Sequence, residues 1–289
     1  MRIAILGGGM VGLCYAQAFI DEGHTVGGLC DLRPTEALKR FAAKNNIPLY
    51  QDPGQWLNGS DVVVSAVFGS GALDIFEKSL QFLEPQTVYV DMTTALPEMM
   101  VRANEIALQK RIEFVDVAIT GAVNLGMRRT PLLIAGKKAQ MVHDLYLPFG
   151  GRLTVVGDEP GNAAKLKLLR SIFTKGIEAL SVECLGTAAQ MGLTEELFDV
   201  LKDIDATPLR KLMESMVYTH VEHSGRRAHE VHEASDQMRS VGLEPVVLKG
   251  VQSLFEKTAA AYQAKGFDGA TSADATQWLN SNVLGNKSA

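Results

Sequence analysis

Ile3-Ala4-Ile5-Leu6-Gly7-Gly8-Gly9-Met10-Val11-Gly12 opens the chain, and its reading decides the fold. The apolar run Ile3–Leu6 reads as a strand buried on both faces, and a helical pattern follows the glycines. Gly7–Gly12 fits G-x-G-x-x-G. Gly7 permits the tight turn, Gly9 lets a pyrophosphate approach the backbone, and Gly12 allows close packing behind it. The first helical turn, with Met10 and Val11, presents unpaired N–H groups and the positive dipole end to phosphates. A second apolar run, Thr25–Cys30, ends at Asp31, 19 residues beyond Gly12, where a carboxylate can hold ribose hydroxyls. A glycine pattern alone is common; the strand before it, the helix after it and the acid at this spacing specify a dinucleotide site. Asp31 repels the extra phosphate of NADP, so NAD is the expected cofactor. Arg33, able to pair with that phosphate, keeps NADP open. Val67, closing the strand Val62–Val67, is a further cofactor candidate.

Outward from this unit, Val88–Val90, Phe114–Val117, Leu132–Ala135 and Arg152–Val156 also read as strands. Helical spacing between them covers Thr35–Asn45, Leu73–Phe82 and Pro97–Lys110, with Pro97 suited to a first turn. Such alternation implies an α/β fold, a Rossmann-type, mainly parallel, doubly wound sheet. The character changes at Gly157-Asp158-Glu159-Pro160-Gly161. A long helical pattern follows from Asn162 to Met191. Further helices are expected at Glu195–Asp203, Pro208–His220, Ala228–Val241, Pro245–Lys265 and Ala273–Asn282, and no strand-like alternation accompanies them. The reading is a dinucleotide-binding domain over 1–159 and an all-helical domain over 160–289 for substrate binding and dimerisation. Asn286–Ala289 reads as a loose tail.

The 289 residues suffice for one large or two modest domains. Hydrophobic residues make up 46% and charged residues 21%, which excludes a disordered or fibrous chain. Twenty-eight basic against 33 acidic residues give a formal charge of -5, and no basic run with interleaved aromatics suggests nucleic acid. Cys14, Cys30 and Cys184 are too scattered for a disulfide framework or a metal site, so a reducing, cytoplasmic setting is expected. Ile3–Ile20 lacks charge and contains Ala16-Gln17-Ala18, like a signal segment, but its glycines make it a strand–turn–helix. No other apolar run suits a bilayer, and no membrane partner is expected.

Four segments together resemble the β-hydroxyacid dehydrogenase family, which includes 3-hydroxyisobutyrate and 6-phosphogluconate dehydrogenases. The first is the glycine turn. Asp91-Met92-Thr93-Thr94-Ala95-Leu96-Pro97 is similar to the family's D-x-S/T-T-x-x-P turn, which makes Thr94 a cofactor candidate. Asp116-Val117-Ala118-Ile119-Thr120-Gly121-Ala122 resembles the substrate-binding D-A-P-V-S-G-G. Gly161–Ser171 resembles the catalytic G-x-G-x-x-x-K-x-x-N-N, with the lysine at Lys167. Thr120 replaces a serine and retains the hydroxyl. Ala118 replaces a proline, and Ala122 and Ala163 replace glycines. Arg170 and Ser171 stand in place of two asparagines. With Gly225–Glu230 they resemble a divergent branch whose helical domain lacks a clear function.

The resemblance implies an NAD(P)-dependent oxidoreductase acting on a small 3-hydroxy acid, with Lys167 as general acid and base. Lys167, Arg170 and Ser171 lie at i, i+3 and i+4 and share a helix face. Partial burial and the charge of Arg170 would lower the lysine pKa toward use as a base. Thr120 could donate to a substrate oxygen, Gly121 could offer its N–H, and Arg170 suits a carboxylate. Lys165 faces away from Lys167. Arg227 and His229, from the polar run Arg226–Glu230, are candidates for reading a substrate tail. No metal is expected, because the histidines and glutamates there lack a clean ligand spacing. The active site is expected in a cleft between the domains, and a homodimer through the helical domain is expected because the long helix cannot otherwise be covered. Rival readings are an imine reductase, a decarboxylating phosphosugar-acid dehydrogenase, and a catalytically silent NAD-binding sensor.

Overall fold

The computed structural model describes residues 1–93 and 95–285. Thr94 and the expected tail Asn286–Ala289 lie outside the described residues. Contacts divide the chain into two compact units, 1–172 and 173–289.

The first unit holds one eight-stranded sheet. Its strands are β1 (Arg2–Leu6), β2 (Thr25–Cys30), β3 (Leu49–Tyr50), β4 (Val62–Ser65), β5 (Val88–Asp91), β6 (Glu113–Ile119), β7 (Leu132–Ala135) and β8 (Leu153–Val155). The order across the sheet is β3-β2-β1-β4-β5-β6-β7-β8, parallel throughout except for the β6–β7 pair. Between β1 and β4 the order reverses, which opens a crevice beyond the strands' carboxyl ends. The glycine turn leaves β1 at that point.

Alternation along the strands fills two cores. Ile3, Ile5, Val64, Val90, Val115 and Val117 pack on one face with Tyr15 and Phe19 of α1 (Met10–Asp21). Leu6, Val63, Tyr89 and Phe114 point the other way. They meet α3 (Ala72–Leu80) through Phe76 and α4 (Pro97–Gln109) through Met100 and Ala103; α2 (Glu36–Lys44) lies between β2 and β3 in the chain. Pro97 opens α4, as its sequence position suggests. The remaining helices of this unit are α5 (Val123–Gly126), α6 (Ala139–Tyr146) and the start of α7 (Asn162–Met191).

The structure adds one strand to those expected and corrects other expectations. Leu49–Tyr50 is a strand, too short after Pro48 to show any periodicity and identified by its pairing with β2. The strand expected over Val62–Val67 stops at Ser65, so Ala66 and Val67 belong to the crevice wall. In the second unit, Pro208–His220 and Ala228–Val241 are not separate helices: α10 runs unbroken over Leu209–Ser240. Glycine costs about 1 kcal/mol in a helix interior, and α10 carries Gly225 without interruption. Buried Val221, Ser224 and Ala228 continue one face across it, and that face packs on α11 (Val247–Lys265). The second unit also contains α8 (Thr194–Val200), α9 (Lys202–Asp205) and α12 (Ser272–Leu279). Its small core joins Val221, Ala275 and Leu279. The chain crosses from one unit to the other within α7, at Ile172–Phe173, whereas composition suggested a boundary ahead of that helix.

Candidate active site

A cavity of about 1100 Å³ lies at the carboxyl ends of the parallel strands, and every residue lining it belongs to the first unit. Gly7 has φ +96°, and a Cβ there would stand 2.6 Å from the Ala66 carbonyl. Only glycine fits. A Cβ on Gly12 would fall 1.8 Å from the Gly7 oxygen, so the turn closes on the first turn of α1. Beside Gly9 the space is open, which leaves the approach a phosphate needs. Gly9 caps α1 with no side chain, so the first N–H groups of the helix remain available to an anion.

Asp31 stabilises this turn. One carboxylate oxygen accepts the Gly8 N–H at 2.8 Å, and the other accepts the Arg33 N–H at 2.8 Å. Asp31, Arg33, Val67, Met10 and Val11 all line the cavity. Each oxygen of Asp31 keeps lone pairs for ribose hydroxyls. The residues present therefore fit a dinucleotide.

The same cavity carries Thr120, Gly121, Lys167, Arg170 and Ser171. Lys167 is half-buried, whereas Lys165 is exposed and reaches the Asn162 side chain at 3.3 Å. Burial lowers the Lys167 pKa, and the nearby Asp116 carboxylate opposes that shift. Burial, one of the two causes the sequence suggests, is the largest cause here. Thr120 differs from expectation. Its hydroxyl donates to the Pro131 carbonyl at 3.1 Å, so its oxygen is left as an acceptor. The Ser171 hydroxyl likewise donates to the Lys167 carbonyl at 3.0 Å.

Asp116, which opens the second of the strand motifs, has a role that the motif alone does not reveal. It is 1% exposed and accepts the N–H groups of Gly161 at 2.9 Å and Ala164 at 3.0 Å. Directly abreast on β5 stands Asp91, also buried, which accepts the Thr93 N–H at 2.8 Å and the Thr93 hydroxyl at 2.6 Å. Burial pushes Asp91 up to about 6, with the Thr93 hydrogen bonds pulling down and the Asp116 charge adding to the rise. The signal was available, since each of these two motifs opens with an aspartate, Asp91 as the last residue of β5 and Asp116 in the middle of β6. Phe68, Asp74 and Lys78 line the cavity as well and were not singled out.

Arg227 and His229 belong to the second unit. Arg227 donates to Thr219 at 3.0 Å and lines a separate apolar cavity with His220 and Phe255. His229 is exposed beside Glu233, and Arg226 is ion-paired to Glu230. This run lies inside α10. Among the described residues, no group of three or more His, Cys, Asp or Glu is arranged to hold a metal ion, and no helix is long and apolar enough to cross a membrane.

The NAD binding domain of 6-phosphogluconate dehydrogenase matches residues 2–147, half of the chain. This chain belongs to the β-hydroxyacid dehydrogenase-like family. A domain of unknown function, DUF1932, matches residues 188–258. An uncharacterized 28.5 kDa protein from Methanothermus fervidus is 30% identical over 256 residues, covering 89% of this chain and 98% of that one. Among solved structures, a conserved protein described as similar to 3-hydroxyacid dehydrogenases aligns with a TM-score of 0.61 and 26% identity, over 93% of this chain and all of that one. An imine reductase variant from Myxococcus stipitatus in complex with NAD+ aligns at 0.77 with 18% identity, over 96% of this chain and 99% of that one, a likeness of fold. Within this family the first unit is the NAD-binding domain, and the chain is an oxidoreductase by family.

Two measurements check this geometry. Gly12→Ala forces the turn apart and should weaken NAD binding at least about tenfold, or 1.4 kcal/mol, in a fluorescence titration; affinity within twofold of the parent would contradict the packing. A carboxyl whose folded pKa is raised stabilises the fold most at low pH and loses that advantage as pH rises through the folded value. Between pH 4 and 7 the parent should therefore lose about 2–3 kcal/mol more stability in urea melts than Asp91→Asn. Parallel pH profiles would contradict a buried, ionising Asp91.

Proposed function

We propose that the protein is an NAD-dependent dehydrogenase of a small 3-hydroxy acid, with Lys167 as its general acid and base. The observation that carries the reading is Lys167, half-buried with a lowered pKa, lining the same cavity as the glycine turn, Asp31 and Thr120. When bound, the dinucleotide accepts a hydride from the alcohol carbon or returns one to the carbonyl. The neutral Lys167 amine takes the hydroxyl proton during oxidation, and its ammonium gives that proton back to the developing alkoxide during reduction. Burial serves this role because it makes the amine accessible nearer neutral pH. The Arg170 guanidinium binds the substrate carboxylate, and the Gly121 N–H and Thr120 oxygen orient the hydroxyl-bearing carbon. Gly121 tolerates little bulk, since a Cβ there would come 3.1 Å from Thr130.

Asp31 favours NAD, because its carboxylate is held by the Gly8 and Arg33 N–H groups where a 2′-phosphate would meet it. Arg33 at the same end makes NADP a weaker substitute. Cytoplasmic residence suits three unpaired thiols, two of them buried. A second copy of the chain is the partner proposed for the helical unit, whose Val182, Phe198, Val200 and Met216 are each at least half exposed. Sedimentation equilibrium should then give twice the chain mass at micromolar concentration, and a monomer there would rule the dimer out.

Lys167→Met should lower kcat for 3-hydroxy acid oxidation by about 10²–10⁴-fold while leaving NAD affinity within about twofold. In the parent, oxidation should rise with pH and reduction should fall, because one needs the free amine and the other the ammonium. An unimpaired Lys167→Met enzyme would overturn the assignment. Preferred turnover of cyclic imines would indicate an imine reductase, carbon dioxide release a decarboxylating phosphosugar-acid dehydrogenase, and NAD binding without any turnover a sensor.

A further inference from the structure

Asp116 sits at a point where three constraints converge. Its carboxylate is withdrawn from water on β6, against the face that packs Ala163 and Ala164. Gly161, Ala163 and Ala164 direct their N–H groups at it, two of them with distances of 2.9 and 3.0 Å. These are the groups an α-helix leaves unpaired at its start, and a carboxylate there also opposes the positive end of the helix dipole. Gly161 approaches with φ +98°, a conformation that lets the chain enter α7 directly from the loop.

Charged groups flank Asp116 on two of the elements around it. Asp91 stands abreast on β5, its own carboxylate engaged by Thr93, and Lys167 acts from α7. Asn162 begins that helix, so Lys167 lies less than two turns beyond the N–H groups that Asp116 holds. A rigid helix therefore converts the position of one buried carboxylate into the position of the lysine amine.

We infer that Asp116 is a positioning residue: by holding the first turn of α7 it sets where Lys167 stands and places a carboxylate near that amine. The inference rests on the proposed role of Lys167 for its catalytic meaning. Its structural content, a carboxylate coupled to that amine, can be read without turnover. Burial drives the amine toward the neutral form, and the Asp116 charge drives it back. Together the two keep Lys167 able to exchange a proton in either direction. An asparagine at 116 can still accept from the α7 N–H groups but carries no charge, so Asp116→Asn separates the two roles.

The pH dependence of Lys167 acetylation by a small anhydride, read by peptide mass spectrometry on cofactor-free protein, tests this directly. Lys165, exposed on the same helix, is the internal reference. In Asp116→Asn the Lys167 midpoint should fall by about one pH unit while that of Lys165 stays put. The basic limb of the oxidation profile should move down with it, and NAD affinity should remain unchanged. Asp116→Glu, which keeps the charge, should restore the midpoint even where kcat drops because the helix start has shifted. It also serves if the asparagine variant fails to fold. An unchanged Lys167 midpoint in Asp116→Asn, or a midpoint that falls equally in Asp116→Glu, overturns the inference. A fully active Lys167→Met with a shifted midpoint in Asp116→Asn would sink the proposed function and leave the coupling standing.

Discussion

The hold of the Asp116 carboxylate on the opening of α7 is the constraint on which the rest of the active site depends. A buried carboxylate is expensive to desolvate, and it persists here because backbone N–H groups replace its lost water. In exchange, a helix end that would otherwise bury unpaired donors against the sheet is satisfied. Everything carried on the next turns of α7, including Lys167, Arg170 and Ser171, takes its height above the sheet from that contact. The glycine turn obeys a similar logic on the other side of the cavity, where Asp31 ties Gly8 to the end of β2. Asp31, just beyond β2, and Asp116, within β6, thus each hold the backbone at the start of a helix to the sheet.

Burial acts in opposite senses on the two kinds of group nearby. Desolvation raises Asp91 and Asp116 and lowers Lys167, so each ionised form costs more than it would in water. Charge attraction between Asp116 and Lys167 offsets part of that cost. Burial outweighs that attraction and leaves both groups shifted toward neutrality, which is what the proposed proton exchange at Lys167 requires. A solvated lysine at the same height would stay charged and could only donate.

Much of this was legible in the sequence. Glycine spacing, the acid after β2 and the alternation of strands with helices carried the sheet, because each depends on local backbone chemistry that a sequence displays directly. The lysine and its helix face were legible through motif spacing. Other features depend on tertiary contacts. β3 is two residues long and exists only through its pairing with β2. The continuity of α10 through Gly225 comes from packing against α11, not from local preference. Nothing in the sequence indicates that the Pro131 carbonyl, eleven residues on, takes the Thr120 hydroxyl proton that a substrate oxygen would otherwise receive. Asp116 was in plain view in a motif, yet its partners lie some 45 residues further along the chain.

The most direct test is a crystal structure of the protein with an oxidised nicotinamide dinucleotide and a 3-hydroxy acid. The account predicts the Lys167 nitrogen about 2.6–3.2 Å from the substrate hydroxyl oxygen, with α7 still fastened at Asp116. A substrate hydroxyl met by another side chain, with the Lys167 amine turned into bulk water, would contradict it.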